Sequence, residues 1–361
     1  ADSIGPAGKS EEGAYYTWTE AEIDEVLDAN TARLFKQAYN IRPDGNWAEG
    51  TQIRHRHGRN EGINILYRAQ QDDKGELADL EEVLINAGTA LLTAREKRDR
   101  PFYDDKVLTD WNGMMICALA HASRIFGEPD WLKSAENAFA FITDQCAKDK
   151  NGRLYHSWRE GKARHNALAD DYAFMISAAL ALYEVTGKNI YRDKAIAWAG
   201  IMKDDFWDEK EGGFFQTSED SNDVMLCPKI VADSAVPSAN GQMAENLPRL
   251  AAIDTDNNWY ALHNDLIAAF TGVIEGSIYG LFTFFNGVVD GESLAHVTVK
   301  GGEDDDATRA LRRALARTSR PDCLWVDDLQ NDRKAEAVIC KKGQCYPSVE
   351  NPDDLEKQLV S

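Results

Sequence analysis

The chain has 361 residues, 43% hydrophobic and 28% charged, enough apolar material for one large core or two smaller ones. Lys and Arg total 40 against 61 Asp and Glu, a net charge of −21 that opposes attraction to DNA, RNA or anionic lipid. No apolar run is long enough to cross a bilayer, "ADSIGPAGKSEEG" has neither region of a secretory signal, and the six cysteines are scattered as in reduced thiols, so a cytoplasmic protein is expected.

In chain order, "TWTEAEIDEVL" predicts a helix with Thr19 as N-cap, Glu22 closing a capping box and Trp18 stapled against Ile23. "RHRHGR" (54–59) contains a His-x-His but no carboxylate or thiol at ligand spacing, and reads as a solvated basic loop. Leu80, Val83, Leu84, Ala87 and Leu91 form one stripe of the next helix, which ends in the basic run "REKRDRP". Then "FYDDKVLTDWNG" (102–113) runs directly into the apolar "MMICALAHA".

A repeat follows. Trp131, Ala135, Ala138, Phe139 and Ile142 form one helical face, and 60 residues on Tyr191, Ala195, Trp198, Ala199 and Met202 form it again. Gly127 maps onto Gly187, "GRLYHS" (152–157) onto "GGFFQT" (212–217), and Trp111-Asn112-Gly113 onto Asp171-Tyr172-Ala173. A fainter copy at an offset of 69 maps Asp171 onto Asn240 and Tyr191 onto Tyr260. Each unit predicts an inner apolar helix, an outer amphipathic helix and a two-stranded excursion, and such units bury their faces only by stacking. Past Ile274 the period lapses, and strands at "SLAHVTVK", "PDCLWVDD" and "AEAVIC" with helices at "DDDATRALRRALART" and "NPDDLEKQLV", the last capped by Asn351 or Asp353, predict a small α/β lobe. The expected division is therefore 1–274, helical hairpins, and 275–361, the lobe, with neither a Gly-rich phosphate loop nor a Cys-x-x-Cys pair. Cys340 and Cys345 flank a Lys-Lys-Gly turn, close enough to bond, and are expected to be reduced; no metal or cofactor is expected.

The segments "EEGAYYTWTEAEI", "RPFYDDKVLTDWNGMMICALA", "LADDYAFMISAALALYEVTG", "WDEKEGGFFQT", "DSAVPSANG" and "AVICKKGQCYPSVENPDDLEKQL" together resemble the spermatogenesis-associated, thioredoxin-domain-containing family, nearly end to end. The resemblance implies a mainly α fold: an (α/α) toroid related to N-acylglucosamine 2-epimerases and six-hairpin glycosidases, incomplete in this chain, with a small C-terminal α/β lobe. It also implies a thioredoxin-like domain and further hairpins ahead of this chain, which reads as a C-terminal portion expected to associate with that other half or with itself.

In such a toroid Asp110-Trp111-Asn112, Asp170-Asp171-Tyr172 and Ser238-Ala239-Asn240 open successive inner helices at one mouth. Asp110 and Asp170 have an ordinary use there as caps, and Asn240 is as well explained by a cap as by a ligand contact. Capping does not explain Asp104, Asp105 and Lys106, the doubled Asp170-Asp171, or the adjacent aromatic residues. Carboxylates for proton transfer beside stacking rings suit carbohydrate, so Asp105, Asp170 and Asp171 are candidate catalytic groups. Asp104, Lys106, Trp111, Asn112, Tyr172, His165, Ser238 and Asn240 are candidate sugar contacts. On this reading Asn at 105, 170 or 171 leaves the melting temperature nearly unchanged. His156 and His165 fall on the excursions, where a polar residue more often faces solvent. Two functions remain open: a sugar-binding toroid with isomerase or glycosidase chemistry, and a non-catalytic module that recognises a polypeptide client or metabolite for a thioredoxin-like domain.

Overall fold

The computed structural model describes residues 2–4, 10–47, 62–68, 77–218, 226–276, 278–318, 322–331 and 333–360. The "RHRHGR" segment lies outside them. Contacts divide the chain into two units, Ala1–Asp105 and Lys106–Ser361.

In the first unit, strands β1 (Asp2–Ile4) and β2 (Ser10–Glu12) pair antiparallel and precede α1 (Glu20–Val26), α2 (Ala29–Ala38) and α3 (Leu77–Arg95). The expected capping box is present: Thr19 Oγ1 accepts from the Glu22 N–H at 3.2 Å and Glu22 accepts from the Thr19 N–H at 2.8 Å. Asp28 caps α2 in the same manner. Trp18, Ile23, Phe35, Leu84 and Leu91 form the core. Arg98 stacks on Trp18 at 4.0 Å and donates to the Thr17 carbonyl, so its stem is buried while its charge is satisfied.

The second unit begins with β3 (Val107–Leu108), α4 (Thr109–Phe126), α5 (Pro129–Gln145), β4 (Tyr155–Arg159), β5 (Lys162–Asn166), α6 (Ala169–Thr186) and α7 (Asn189–Asp205). It continues through α8 (Ala239–Ile253), α9 (Trp259–Ala269), α10 (Thr271–Gly276) and α11 (Phe282–Ser293). Helix α6 is apolar on every side, and Tyr172–Ile176 and Ala178–Leu182 are all buried, which only a central position allows. Helices α4, α6, α8 and α11 pack in that order as the inner layer, with α5, α7 and α9 outside. This is the stack of helical hairpins that the repeat predicts and the incomplete (α/α) toroid that the resemblance implies. Gly127 and Gly187, one repeat apart, end α4 and α6 in the left-handed region, with φ of 73° and 66°. The excursions differ: β3, β4 and β5 form a three-stranded antiparallel sheet, whereas among the described residues its counterpart after α7 has a single bridge, Trp207 to Phe214.

The sequence period lapses after Ile274, yet α11 packs on α8 as a further inner helix. The contact is close because Gly287 lies against Ala244, where an added Cβ would come within 2.4 Å of it. The lobe's own core begins at Ala295. It consists of β6 (Ala295–Gly301), α12 (Asp306–Thr318), β7 (Cys323–Leu329), β8 (Glu336–Lys341), β9 (Gln344–Cys345) and α13 (Pro352–Val360). The sheet order is β7-β6-β8-β9, with β6 and β7 parallel across α12. Asn351 caps α13, accepting from the Asp354 N–H. Cys340 and Cys345 face each other directly across β8 and β9 and are joined by a disulfide. The expectation of reduced thiols is therefore corrected, since the tight turn makes them an opposed pair. Among the described residues no helix is long and apolar enough to cross a membrane.

Candidate functional site

The polar groups that converge in the second unit are Asp110, Asp170 and Asp171 in the first turns of α4 and α6, with His156 on β4 and Gln216 on the excursion after α7. Asp171 is fully buried. Its Oδ2 accepts from the Leu168 N–H at 2.7 Å, half of a capping box, and its Oδ1 accepts from the Asp110 N–H at 3.0 Å. His156 Nδ1 lies 3.0 Å from both oxygens. One carboxylate thus ties together the starts of two inner helices and a strand.

The hydrogen bond that His156 donates to Asp171 raises the His156 pKa, with further help from the charges of Asp110 and Asp170, against desolvation. Burial pushes the Asp171 carboxyl up, opposed by His156 and the Leu168 N–H. With two backbone donors on Asp171, the proton of the pair belongs on His156. Asp170 is only partly buried and accepts from Gln216 Nε2 at 2.5 Å and from the Ala239 N–H. Burial raises its pKa, and the charge of Asp110 raises it further, against the Gln216 hydrogen bond, which favours the protonated form a proton donor needs. Asp110 is not the N-cap of α4, a position held by Leu108 with no side-chain bond; it accepts from the Trp111 N–H at 2.8 Å. One ligand atom each of Asp110, His156 and Asp171 lies within 4.8 Å of the others, so these residues could hold a cation. Both Asp171 oxygens already accept from N–H groups, however, so an ion would displace His156, and the set fits proton transfer better.

Of the residues singled out from sequence, Asp170 and Asp171 are brought together, and Trp111 lies close by on α4 with 60% of its surface exposed. Asn112 donates to the Leu108 carbonyl at 2.8 Å. Lys106 is exposed at the start of the same unit, and His165 is exposed on β5 with φ of 59°. Asp104 and Asp105 are exposed at the end of the first unit. Three of the expected sugar contacts are buried, with polar atoms engaged by the fold. Buried Tyr172 accepts the Leu154 N–H at 3.0 Å, and burial pushes its hydroxyl up to about 12. Ser238 caps α8 and donates to the Val231 carbonyl. Asn240 accepts the Phe214 N–H at 2.7 Å and donates to the Phe214 and Ile230 carbonyls.

His156 and Gln216 are the residues that the sequence underrated. They are equivalent under the 60-residue offset, and they grip the two adjacent carboxylates, His156 on Asp171 and Gln216 on Asp170. Leu154 and Phe214, also equivalent, hand their N–H groups to Tyr172 and Asn240. The mapping of "GRLYHS" onto "GGFFQT" already aligns the two; what it does not carry is the carboxylate that each side chain meets on the next inner helix.

Residues 67–229, which include this cluster, match the family model of glycosyl hydrolase family 76. Human spermatogenesis-associated protein 20 is 25% identical over 403 residues, covering 99% of this chain and 51% of the human protein. Along nearly its whole length the chain is similar to spermatogenesis-associated protein 20. It spans about half the length of the human spermatogenesis-associated protein 20 and 37% of the rat one, to which it is 29% identical over 296 residues. A Caenorhabditis elegans protein is 30% identical over 259 residues, 66% of this chain and 35% of its own. Among solved structures, a cellobiose 2-epimerase from Bacillus thermoamylovorans aligns with a TM-score of 0.41 and 16% identity, covering 47% of this chain and 46% of that one. A family 76 alpha-mannanase of Bacteroides thetaiotaomicron aligns with a TM-score of 0.41 and 17% identity, covering 59% and 62%.

Proposed function

We propose that this toroid acts on carbohydrate by acid–base chemistry, with Asp170 as the proton-transferring carboxyl and Asp110 as its partner in the mouth. The observation behind it is the cluster of three aspartates and one histidine at the starts of two inner helices, within the segment that matches glycosyl hydrolase family 76. Asp170 combines partial burial with a raised pKa, as a proton donor to a glycosidic oxygen requires, and Asp110 adds a second carboxylate to assist water or the sugar cation. Asp171 acts one step back, fixing the His156 ring and the entry of α4. Trp111 supplies an exposed ring face for stacking on a pyranose. Glycosidic cleavage is the chemistry this pair fits best; proton exchange at a sugar carbon would call on His156 instead. In the longer protein that the resemblance implies, a thioredoxin-like domain would accompany this toroid.

A second reading is a sugar-binding module without turnover, favoured by the complete engagement of Asp171 in the fold. The test is incubation of the full chain with manno- and gluco-oligosaccharides, products being resolved by NMR, alongside a thermal-shift panel. Product formed by the wild type and lost in Asp170→Asn supports the enzyme. A thermal shift without product supports the module, and neither effect with any sugar rejects both.

A further inference from the structure

The inner helices have a second chemically distinct end. Asp110 and Asp171 stand in the first turns of α4 and α6, whereas His121, Arg124 and Glu184 lie 11 to 14 residues further on, about 20 Å along the same axes. There the helices face α12 and β7 of the lobe across a cavity of about 500 Å³ lined by His121, Arg124, Glu184, Arg249, Ala316 and Trp325. The cavity opens to solvent, and its volume lies within the roughly 300–1,000 Å³ of small-molecule sites.

Charge gives the cavity a sign. Arg124, Arg249 and His121 line it against one carboxylate, Glu184, in a chain whose net charge is −21. Arg124 is part of the framework: it stacks on Trp325 at 4.1 Å and donates to the carbonyls of Trp325 and Glu184. Cations at helix C-termini offset the helix dipoles, and that accounts for Arg124. It does not account for an unfilled space, nor for Arg249, which reaches the wall from within α8 while paired with Asp290 behind it. His121 is half-exposed, its Nε2 3.5 Å from Glu184. The same lining also carries apolar side chains, Ile125 beside His121 on α4 and Leu315 and Ala316 on α12.

We propose that this cavity binds a small amphipathic organic anion, its negative group facing His121 and Arg249 and its apolar body lying on Ile125, Leu315 and Ala316. The site is independent of the sugar chemistry at the other end of the helices.

Calorimetric titration of the full chain with octanoate, and with octanol as its uncharged counterpart, tests both halves of the assignment. Octanoate is expected to saturate one site and to bind at least about tenfold more tightly than octanol. His121→Gln should reduce that preference, and Ala316→Trp or Ile125→Trp, which plug the space from two different elements, should abolish binding of both. Equal affinity for octanol and octanoate would overturn the proposal, as would no saturable binding of either, or wild-type binding by both plugged variants. Should one plugged variant fail to fold, the other and His121→Gln still decide.

Discussion

Replacing Asp171 by Asn removes one unit of charge and turns one acceptor into a donor at a fully buried position. The native carboxylate accepts from Leu168 N–H, Asp110 N–H and His156 Nδ1, and both of its oxygens are in use. If the Asn oxygen keeps the shorter Leu168 bond, its NH2 points at the Asp110 N–H. His156 can change tautomer and accept, but a backbone N–H cannot. An unsatisfied buried N–H costs about 1–3 kcal/mol, and the lost charge assistance adds to this, for a total of about 2–4 kcal/mol. For a unit of this size that lowers the melting temperature by on the order of 5–10 °C. Asp170→Asn should move it far less, because Asp170 is only partly buried and the Asn oxygen can still take one of its two donors. Calorimetric melts of the two variants beside wild type make the comparison. The reasoning is refuted if Asp171→Asn melts within about 1 °C of wild type, or if Asp170→Asn falls as far.

Four further outcomes are expected. His156 has a folded pKa raised above the ordinary histidine value of 6.5, so the stability it draws from Asp171 is complete below that value and fades as pH rises through the raised one; the melting-temperature gap between wild type and His156→Gln should narrow from pH 6 to 9, and a widening gap would contradict the pairing. If Asp170 is the proton donor, turnover declines as pH rises through a pKa above the ordinary carboxylate range, and a pH–rate profile whose high-pH limb lies at ordinary carboxylate values removes it from that role. Gly113→Ala would bring a Cβ to 2.8 Å of the Phe174 carbonyl carbon, so a loss of about 1–3 kcal/mol is expected in denaturant unfolding, and a neutral result would show that α4 can yield. Alkylation of the native protein without reductant should leave Cys340 and Cys345 unmodified while exposed Cys227 reacts, read by mass spectrometry; alkylated Cys345 would restore the expectation of reduced thiols.

The helical hairpins were legible because burial imposes a period: α5 and α7 repeat one apolar face at an offset of 60, and α6, with small and apolar residues all round, has to be central. Helix α11 was not, because "FTFFNGVVDGES" meets the array through Gly287 on Ala244 and repeats no earlier face. The site was half legible for a related reason. Polar residues in a helix's first turn look alike in sequence, but those one position apart point about 100° apart around the axis. Asp170 therefore reaches Gln216 while Asp171 turns inward to His156. Tyr172 and Asn240 look like ligand contacts because they are polar and near the mouth. They are in fact two solutions to one need, an acceptor for the N–H of the preceding excursion. His156 escaped because a strand residue's partner on another element leaves no mark in local spacing.

The place where Gly113 meets Phe174 has a bearing on how such a site diverges. With no side chain between them, the backbones of α4 and α6 approach closely enough for the Asp110 N–H to reach Asp171. The spacing of the acidic groups is thus governed by a hydrogen atom in the interior, one turn below the mouth, rather than by any residue a ligand would touch. A descendant protein could alter its chemistry while keeping every acidic side chain, simply by gaining a methyl group there and parting the two helices.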